Sequence, residues 1–89
     1  MEKRRSRLEI MLEVLSAVIN GIDKPTRIMY AVNLSWRPTQ SILSSLVDQS
    51  LLTMKETPGR GRSKRSYGIT EKGTNVLTYF DGLKEIIEV

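Results

Sequence analysis

Two runs of basic side chains are the residues of this sequence whose types and spacing most clearly indicate a function. That function is the binding of phosphate groups. Of its 89 residues, 14 are Lys or Arg and 10 are Asp or Glu, for a formal net charge of +4. Eight basic residues lie in two acid-free segments: Lys3, Arg4, Arg5 and Arg7, and Arg60, Arg62, Lys64 and Arg65. The rest holds 6 basic and 10 acidic residues, a net charge of −4. Such clusters attract phosphate polymers or anionic membranes, the alternative being a solvated tail and a solubilising loop.

The residues that most catalytic and metal-binding sites require are missing, since the sequence contains no His and no Cys. Disulfides, zinc–thiolate sites and Ser–His–Asp or Cys–His mechanisms therefore cannot be built. Paired-carboxylate and phosphate-loop motifs are also missing. We expect no enzymatic activity, no metal, no cofactor and no small-molecule substrate. No apolar run approaches the ~18 residues of a membrane span, and the charged N-terminus is not followed by the apolar core of a signal peptide.

Hydrophobic periodicity predicts the elements that must position the basic residues. Apolar spacings of three and four indicate helices over about 5–20, 25–32, from Pro38 onward, and 71–88. Strands are predicted at 51–55 and 66–69. Asn20-Gly21 should end the first helix, and Thr70 should cap the last. The length fits one domain, 1–89, with a basic arm at 1–6 and a Pro-, Gly- and Ser-rich basic loop at 57–66.

The third helix carries an unusual polar side. Its predicted core stripe is Ile42, Leu43, Leu46 and Val47, and its other side has mainly short side chains: Thr39, Gln40, Ser41, Ser44 and Ser45. Exposed helix faces normally use Lys, Glu and Arg, which have better helix propensity. The pattern therefore favours a side that approaches a partner closely, over a merely polar surface helix.

The element order, three helices, a strand, a basic loop, a strand and a helix, predicts a mostly helical α+β fold. Helices two and three form a helix-turn-helix, and the hairpin forms the wing of a winged helix. Residues 43–52 fit L-x-x-L-x-x-x-G-L-L, with Ser50 in place of Gly, and residues 67–73 fit Y-x-I-T-x-K-G. Both patterns look like winged-helix proteins, at the exit of the recognition helix and at the start of the final helix.

Three further segments, 6–10, 26–30 and 33–35, resemble the archaeal winged-helix DNA-binding proteins of about ten kilodaltons, which are chromatin-associated proteins of Sulfolobus and relatives. The resemblance covers about residues 6–77. It implies a DNA-binding winged helix that dimerises through a long C-terminal helix. The sequence departs from the family in a longer, more basic wing tip and in a shorter C-terminal helix.

These inferences define the expected contacts with double-stranded DNA. The third helix should enter the major groove, where Gln40 can read adenine and Thr39, Ser41, Ser44 and Ser45 can contact bases or phosphates. The wing residues Arg60, Arg62, Lys64 and Arg65 should reach the minor groove or phosphates. Lys3, Arg4 and Arg5 would add contacts from an arm, with Arg27 and Arg37 as phosphate clamps. Trp36 is interpreted as a core or turn anchor rather than a base-stacking residue.

The last helix predicts a homodimer, with an interface of Val76, Phe80, Leu83, Ile86 and Ile87, although the same residues could instead pack on the first helix. The predicted function is a transcription regulator or a small chromatin-associated protein, in the cytoplasm and associated with the nucleoid. The alternative is a protein–protein interaction module of a larger nucleic-acid machine, and RNA binding is a weaker third option.

Overall fold

The structure, a computed structural model, describes residues 5–59 and 64–86. Within those residues the chain forms four helices and a two-stranded antiparallel sheet. The order is α1 (Arg7–Ile19), α2 (Pro25–Val32), α3 (Trp36–Asp48), β1 (Leu52–Thr57), β2 (Lys64–Ile69) and α4 (Glu71–Ile86). This arrangement confirms the predicted fold class, a mostly helical winged helix-turn-helix with a helix at each end.

Local capping sets the bounds of α1. The Glu9 backbone N–H donates to Ser6 Oγ at 3.1 Å, and the Ser6 N–H donates to Glu9 Oε1 at 3.0 Å. This reciprocal capping box starts the helix at Arg7, two residues later than predicted, and the S-x-x-E spacing that signals it is present in the sequence. The helix ends at Ile19, and Gly21 follows two residues later with a φ of 96°, the left-handed conformation predicted for it.

Helix α3 begins at Trp36, two residues before the predicted start at Pro38. Pro38 is thereby the third helical residue, where the backbone N–H has no acceptor within the helix and its loss costs nothing. Ser35 precedes the helix in an extended conformation, with φ −82° and ψ 172°.

The core lies between the first three helices, the base of the hairpin and the start of α4. Its most deeply buried large side chains are Leu15, Ile28, Leu43, Leu46 and Leu52, and Leu77 joins them from α4. The Tyr67 N–H donates to the carbonyl of Asp23 at 2.8 Å, which ties β2 to the loop between α1 and α2. This core holds α3 and the sheet in one fixed relation.

The Y-x-I-T-x-K-G segment joins the end of α3 to the start of α4. Thr70 Oγ1 accepts a hydrogen bond from the Gly73 N–H at 2.9 Å, which confirms the predicted N-cap. The same hydroxyl donates a hydrogen bond to the carbonyl oxygen of Ser50 at 2.7 Å. Lys72 Nζ donates to the carbonyl of Gln49 at 2.9 Å. A Cβ at position 73 would overlap the carbonyl of Leu51, so only Gly fits there. The motif therefore caps α4 and satisfies the end of α3 together.

Candidate nucleic-acid interface

The turn between α2 and α3 fixes the direction of α3. Asn33 ends α2 in the left-handed conformation, with φ 56° and ψ 53°, and Asn is among the few residues that tolerate it. The Leu34 N–H donates back to the carbonyl of Met29 at 3.1 Å. One side of α3 is then buried through Ile42, Leu43 and Leu46, so its opposite side must face outward.

The outward side of α3 is polar and built at helical spacing. It presents four exposed residues separated by four, three and four positions: Arg37, Ser41, Ser44 and Asp48. Ser45 lies at its margin, half-buried, and its hydroxyl accepts a hydrogen bond from Gln49 Nε2 at 3.0 Å. The predicted residues Arg37, Ser41 and Ser44 thus share one accessible surface.

Thr39 corrects the predicted contact surface, because it lies on the opposite side of α3. Its side chain has no exposed surface, and its hydroxyl donates to the carbonyl of Ser35 at 2.9 Å. Position 39 precedes Ile42 by three residues and Leu43 by four, so it falls on the core stripe. A buried hydroxyl bonded within its own helix cannot reach DNA.

Gln40 lines an open cleft between α3 and the wing, together with Ser44, Met54 and Arg65. Its Nε2 atom is excluded from solvent and has no hydrogen-bond partner among the residues that the structure describes. An amide nitrogen in this state costs roughly 1–3 kcal/mol. Gln40 would therefore gain a hydrogen bond if its side chain turned toward an acceptor in the cleft.

The wing strands distribute their basic residues over two faces. Antiparallel pairing places Met54 opposite Tyr67, Glu56 opposite Arg65 and Thr57 opposite Lys64. Because side chains alternate along a strand, Arg65 shares the face of Met54 and Tyr67, which turns toward α3, while Lys64 points to the other face. Arg65 Nε lies 3.8 Å from Glu56 Oε2, and both side chains are about half exposed, so this ion pair is weak.

The basic loop is shorter than the predicted 57–66. β1 continues to Thr57 and β2 begins at Lys64, so Lys64 and Arg65 lie on a strand instead of at the tip. Arg60 and Arg62 fall outside the described residues. The structure also adds a candidate that the sequence reasoning missed: exposed Lys55 lies on the same face of the sheet as Lys64.

Arg5 corrects the predicted N-terminal arm. Its Nη1 atom lies 2.6 Å from Glu13 Oε1 on α1 and 2.6 Å from the carbonyl oxygen of Val32, and its Nη2 donates to the carbonyl of Asn33 at 3.2 Å. The guanidinium therefore satisfies carbonyl groups at the C-terminal end of α2, a structural role that the prediction of a free arm did not include. Lys3 and Arg4 lie outside the described residues.

The remaining predicted contacts are exposed, and Trp36 is a correction. Arg27 is exposed on α2 and Arg37 on the first turn of α3. Trp36 is 47% exposed at the first position of α3, so the part of its interpretation that placed it in the core is wrong, whereas a role as a turn anchor stays a prediction. Thr39 and Leu43, which follow it on α3, are the buried residues of this part of the helix.

Helix α4 packs against α1 through Leu77, which is buried. Val76, Phe80 and Leu83 lie on a neighbouring side of α4 and are half-buried, and Tyr79 beside them is exposed. Ile86 is the last residue of α4, without a description of its side chain, and Ile87 lies outside the described residues. The predicted dimer residues that are described thus form one apolar strip.

The described residues form neither a metal-ion cluster nor a membrane-spanning helix. In residues 5–59 and 64–86, no group of three or more acidic, His or Cys side chains could hold a metal ion. None of the helices described there is long and apolar enough to cross a membrane.

Sequence comparisons match nearly the whole chain. The model of a family described as winged helix-turn-helix matches residues 4–88. An uncharacterized protein of Methanocaldococcus jannaschii is 28% identical over 86 residues, which cover 97% of this chain and 77% of that protein. A second uncharacterized protein of the same organism is 31% identical over 84 residues, which cover 94% of this chain and 36% of its own length.

Solved structures share the fold. A protein from Streptococcus mutans has a TM-score of 0.81 at 21% identity, covering 97% of this chain and 85% of its own. Sso10a-2, a DNA-binding protein from Sulfolobus solfataricus, has a TM-score of 0.74 at 27% identity, covering 92% and 81%. A MarR family transcriptional regulator from Silicibacter pomeroyi has a TM-score of 0.73 at 20% identity, covering 89% and 53%. These findings confirm the resemblance that the sequence motifs indicated.

Proposed function

The chain belongs to the winged helix-turn-helix family, and from this premise we propose that it binds double-stranded DNA without catalysing a reaction on it. Helix α3 lies in the major groove and the wing contacts the adjacent backbone or minor groove. One observation carries the proposal: exposed Arg37, Ser41 and Ser44 line one side of α3, next to a strand that carries Lys64 and Arg65. Sso10a-2 of Sulfolobus solfataricus, which has the same fold and is 27% identical, is a DNA-binding protein, and this similarity supports the proposal.

The short side chains of α3 suit close contact with a groove. Ser41 and Ser44 let the helix backbone approach base edges, and their hydroxyls can donate or accept hydrogen bonds. Arg37 suits a phosphate or the paired acceptors of guanine. Gln40, whose amide nitrogen is buried without a partner among the described residues, would gain a hydrogen bond by turning toward an adenine.

The wing supplies charge from both faces of β2. Arg65 faces the cleft beside α3, whereas Lys64 and Lys55 occupy the other face of the sheet. Such a strand can approach phosphates on both of its sides. Arg60 and Arg62 belong to this proposal through the sequence alone, as do Lys3 and Arg4 of the arm, because all four lie outside the described residues.

We further propose that the chain, a single domain over 1–89, acts as a homodimer through the strip of Val76, Phe80 and Leu83 on α4, extended by Ile86 and Ile87. A second copy would cover the apolar side of α4 that the contact with α1 leaves open. Two copies would also double the number of phosphate contacts per complex. In the cell, such a dimer would be cytoplasmic and associated with the nucleoid.

A titration of the protein with labelled duplexes tests the function. We expect binding that weakens steeply as salt rises, because Lys and Arg displace counterions from phosphates. A ratio near one between the preferred and a random duplex would favour an architectural protein, and a ratio of about 10³ or more a sequence-specific regulator. Absence of duplex binding at low salt would contradict the proposal and favour the alternative, a protein–protein interaction module.

A further inference from the structure

The single Trp of the chain is exposed at an unusual place. Trp36 occupies the first position of α3 and keeps 47% of its surface accessible. About half of its surface is therefore covered already, and Trp is enriched at binding interfaces, where an apolar ring with one polar N–H suits contact with a partner. Exposed Arg37 follows it directly. Thr39, about one helical turn further on, is fully buried.

Trp36 also belongs to a row of residues on α3. Gln40 and Ser44 follow it at intervals of four, so the three lie on one side of the helix, and Gln40 and Ser44 line the cleft toward the wing. In a helix-turn-helix, the N-terminal residues of the second helix contact base edges. The indole therefore stands at the leading end of the row that we assign to the groove.

We propose that Trp36 is an apolar DNA-contact residue that loses its remaining solvent exposure when α3 enters the major groove. This inference rests on the proposed function. The indole ring offers a flat apolar surface to sugars, base edges and thymine methyl groups, and its N–H is a donor for a phosphate or base acceptor. Because the contact is mainly apolar, it displaces few counterions and adds affinity that salt does not weaken.

Intrinsic fluorescence tests the contact directly, since one Trp gives the whole indole signal. The wild-type protein is titrated with an unlabelled duplex while Trp emission and its quenching by acrylamide are recorded. Binding is measured independently by the anisotropy of a labelled duplex. We expect the emission to change along the same binding curve and the acrylamide quenching constant to fall at least twofold. Unchanged emission and quenching on a duplex-saturated protein would overturn the inference and leave the proposed function standing.

Substitutions give a second, independent readout. Trp36→Ala should weaken duplex binding about tenfold, because apolar surface is no longer buried, without changing the slope of log affinity against log salt, and Trp36→Phe should restore most of the loss. Ile19→Ala is the matched control, because Ile19 is 45% exposed on α1, and should bind as the wild type does. Wild-type affinity for Trp36→Ala would overturn the inference. A wild type that binds no duplex would overturn the proposed function and this inference together.

Discussion

Ser50 occupies a backbone conformation that its side chain disfavours. It has a φ of 62° between α3 and β1, in the left-handed region where a Cβ costs about 1–2 kcal/mol. The related sequence pattern has Gly at this position, and the structure supplies the reason. Its carbonyl accepts the hydroxyl of Thr70 at 2.7 Å, so the strained conformation also orients an acceptor.

Ser50→Gly should therefore raise the free energy of unfolding, by about 0.5–1 kcal/mol after the greater entropy of Gly in the unfolded chain is deducted. Urea denaturation monitored by circular dichroism would measure it. Gly21→Ala is the control for the opposite change, from Gly to a residue with a Cβ. The φ of Gly21 is 96°, and a Cβ there has no neighbour within 4 Å in the described structure, so a loss of stability in this variant reports backbone strain and not a steric clash. A lower urea midpoint for Ser50→Gly would refute this explanation.

Thr39 shows how residue type misled the prediction while periodicity would have sufficed. A polar residue was assigned to the exposed side, although its spacing from Ile42 and Leu43 places it on the core stripe. Its hydroxyl is tolerated there because it donates a hydrogen bond to the carbonyl of Ser35 at the start of the helix.

Thr39→Val should keep duplex affinity within about twofold, since the two side chains have the same shape and neither reaches DNA. Anisotropy titration checks this, and a tenfold loss would return Thr39 to the interface.

At the scale of elements, Arg5 fastens the start of α1 to the end of α2. Its guanidinium contacts Glu13 and two carbonyls at the helix-turn-helix turn, although its side chain remains 31% exposed. Arg5→Ala should lower the free energy of unfolding by about 1 kcal/mol, a figure reduced for solvent screening. The loss should persist in high salt, because two of the acceptors are neutral carbonyls. No change in the urea midpoint would mean that these contacts do not stabilise the turn.

The start of α4 makes a sharper prediction, because two glycines of the same helix differ in their surroundings. Gly73→Ala would force a Cβ into the carbonyl of Leu51 and should cost about 2–4 kcal/mol. Gly82→Ala meets nothing within 4 Å in the residues described, and should stabilise an isolated chain by up to about 1 kcal/mol through helix propensity. Thermal unfolding of both variants measures the contrast, and equal effects would contradict the close contact.

The element pattern was largely predictable, and its failures have local causes. Helix α2 was predicted at its observed bounds, since Pro25 and Asn33 mark its two ends. The predicted wing strands are shorter than the observed ones, because Pro, Gly and Ser residues indicate a loop. The pairing of Thr57 with Lys64 depends on the opposite strand, which local sequence does not show. The role of Arg5 was hidden for the same reason, since its acceptors lie 27 and 28 residues further along.

For the whole molecule, the open side of α4 bears on assembly. Phe80→Asp and Leu83→Asp should convert the proposed dimer to a monomer, because each would bury a carboxylate in an apolar contact. Thr78→Asp is the matched control, since Thr78 is exposed and lies away from the strip of Val76, Phe80 and Leu83. Sedimentation equilibrium reports the mass. A wild type that already sediments at 10.1 kDa would contradict the dimer.

The distribution of charge over the molecule leads to the most direct test of the central claim, that α3 and the wing hold DNA. Duplex affinity is measured at several salt concentrations for the wild type and for Arg37→Ala, Lys64→Ala and Arg65→Ala, singly and combined. Each substitution should reduce the log–log salt slope by about one, and the triple variant by about three. Lys84→Ala removes the same charge from α4 and should leave the slope unchanged. A triple variant with wild-type affinity and slope would contradict the account.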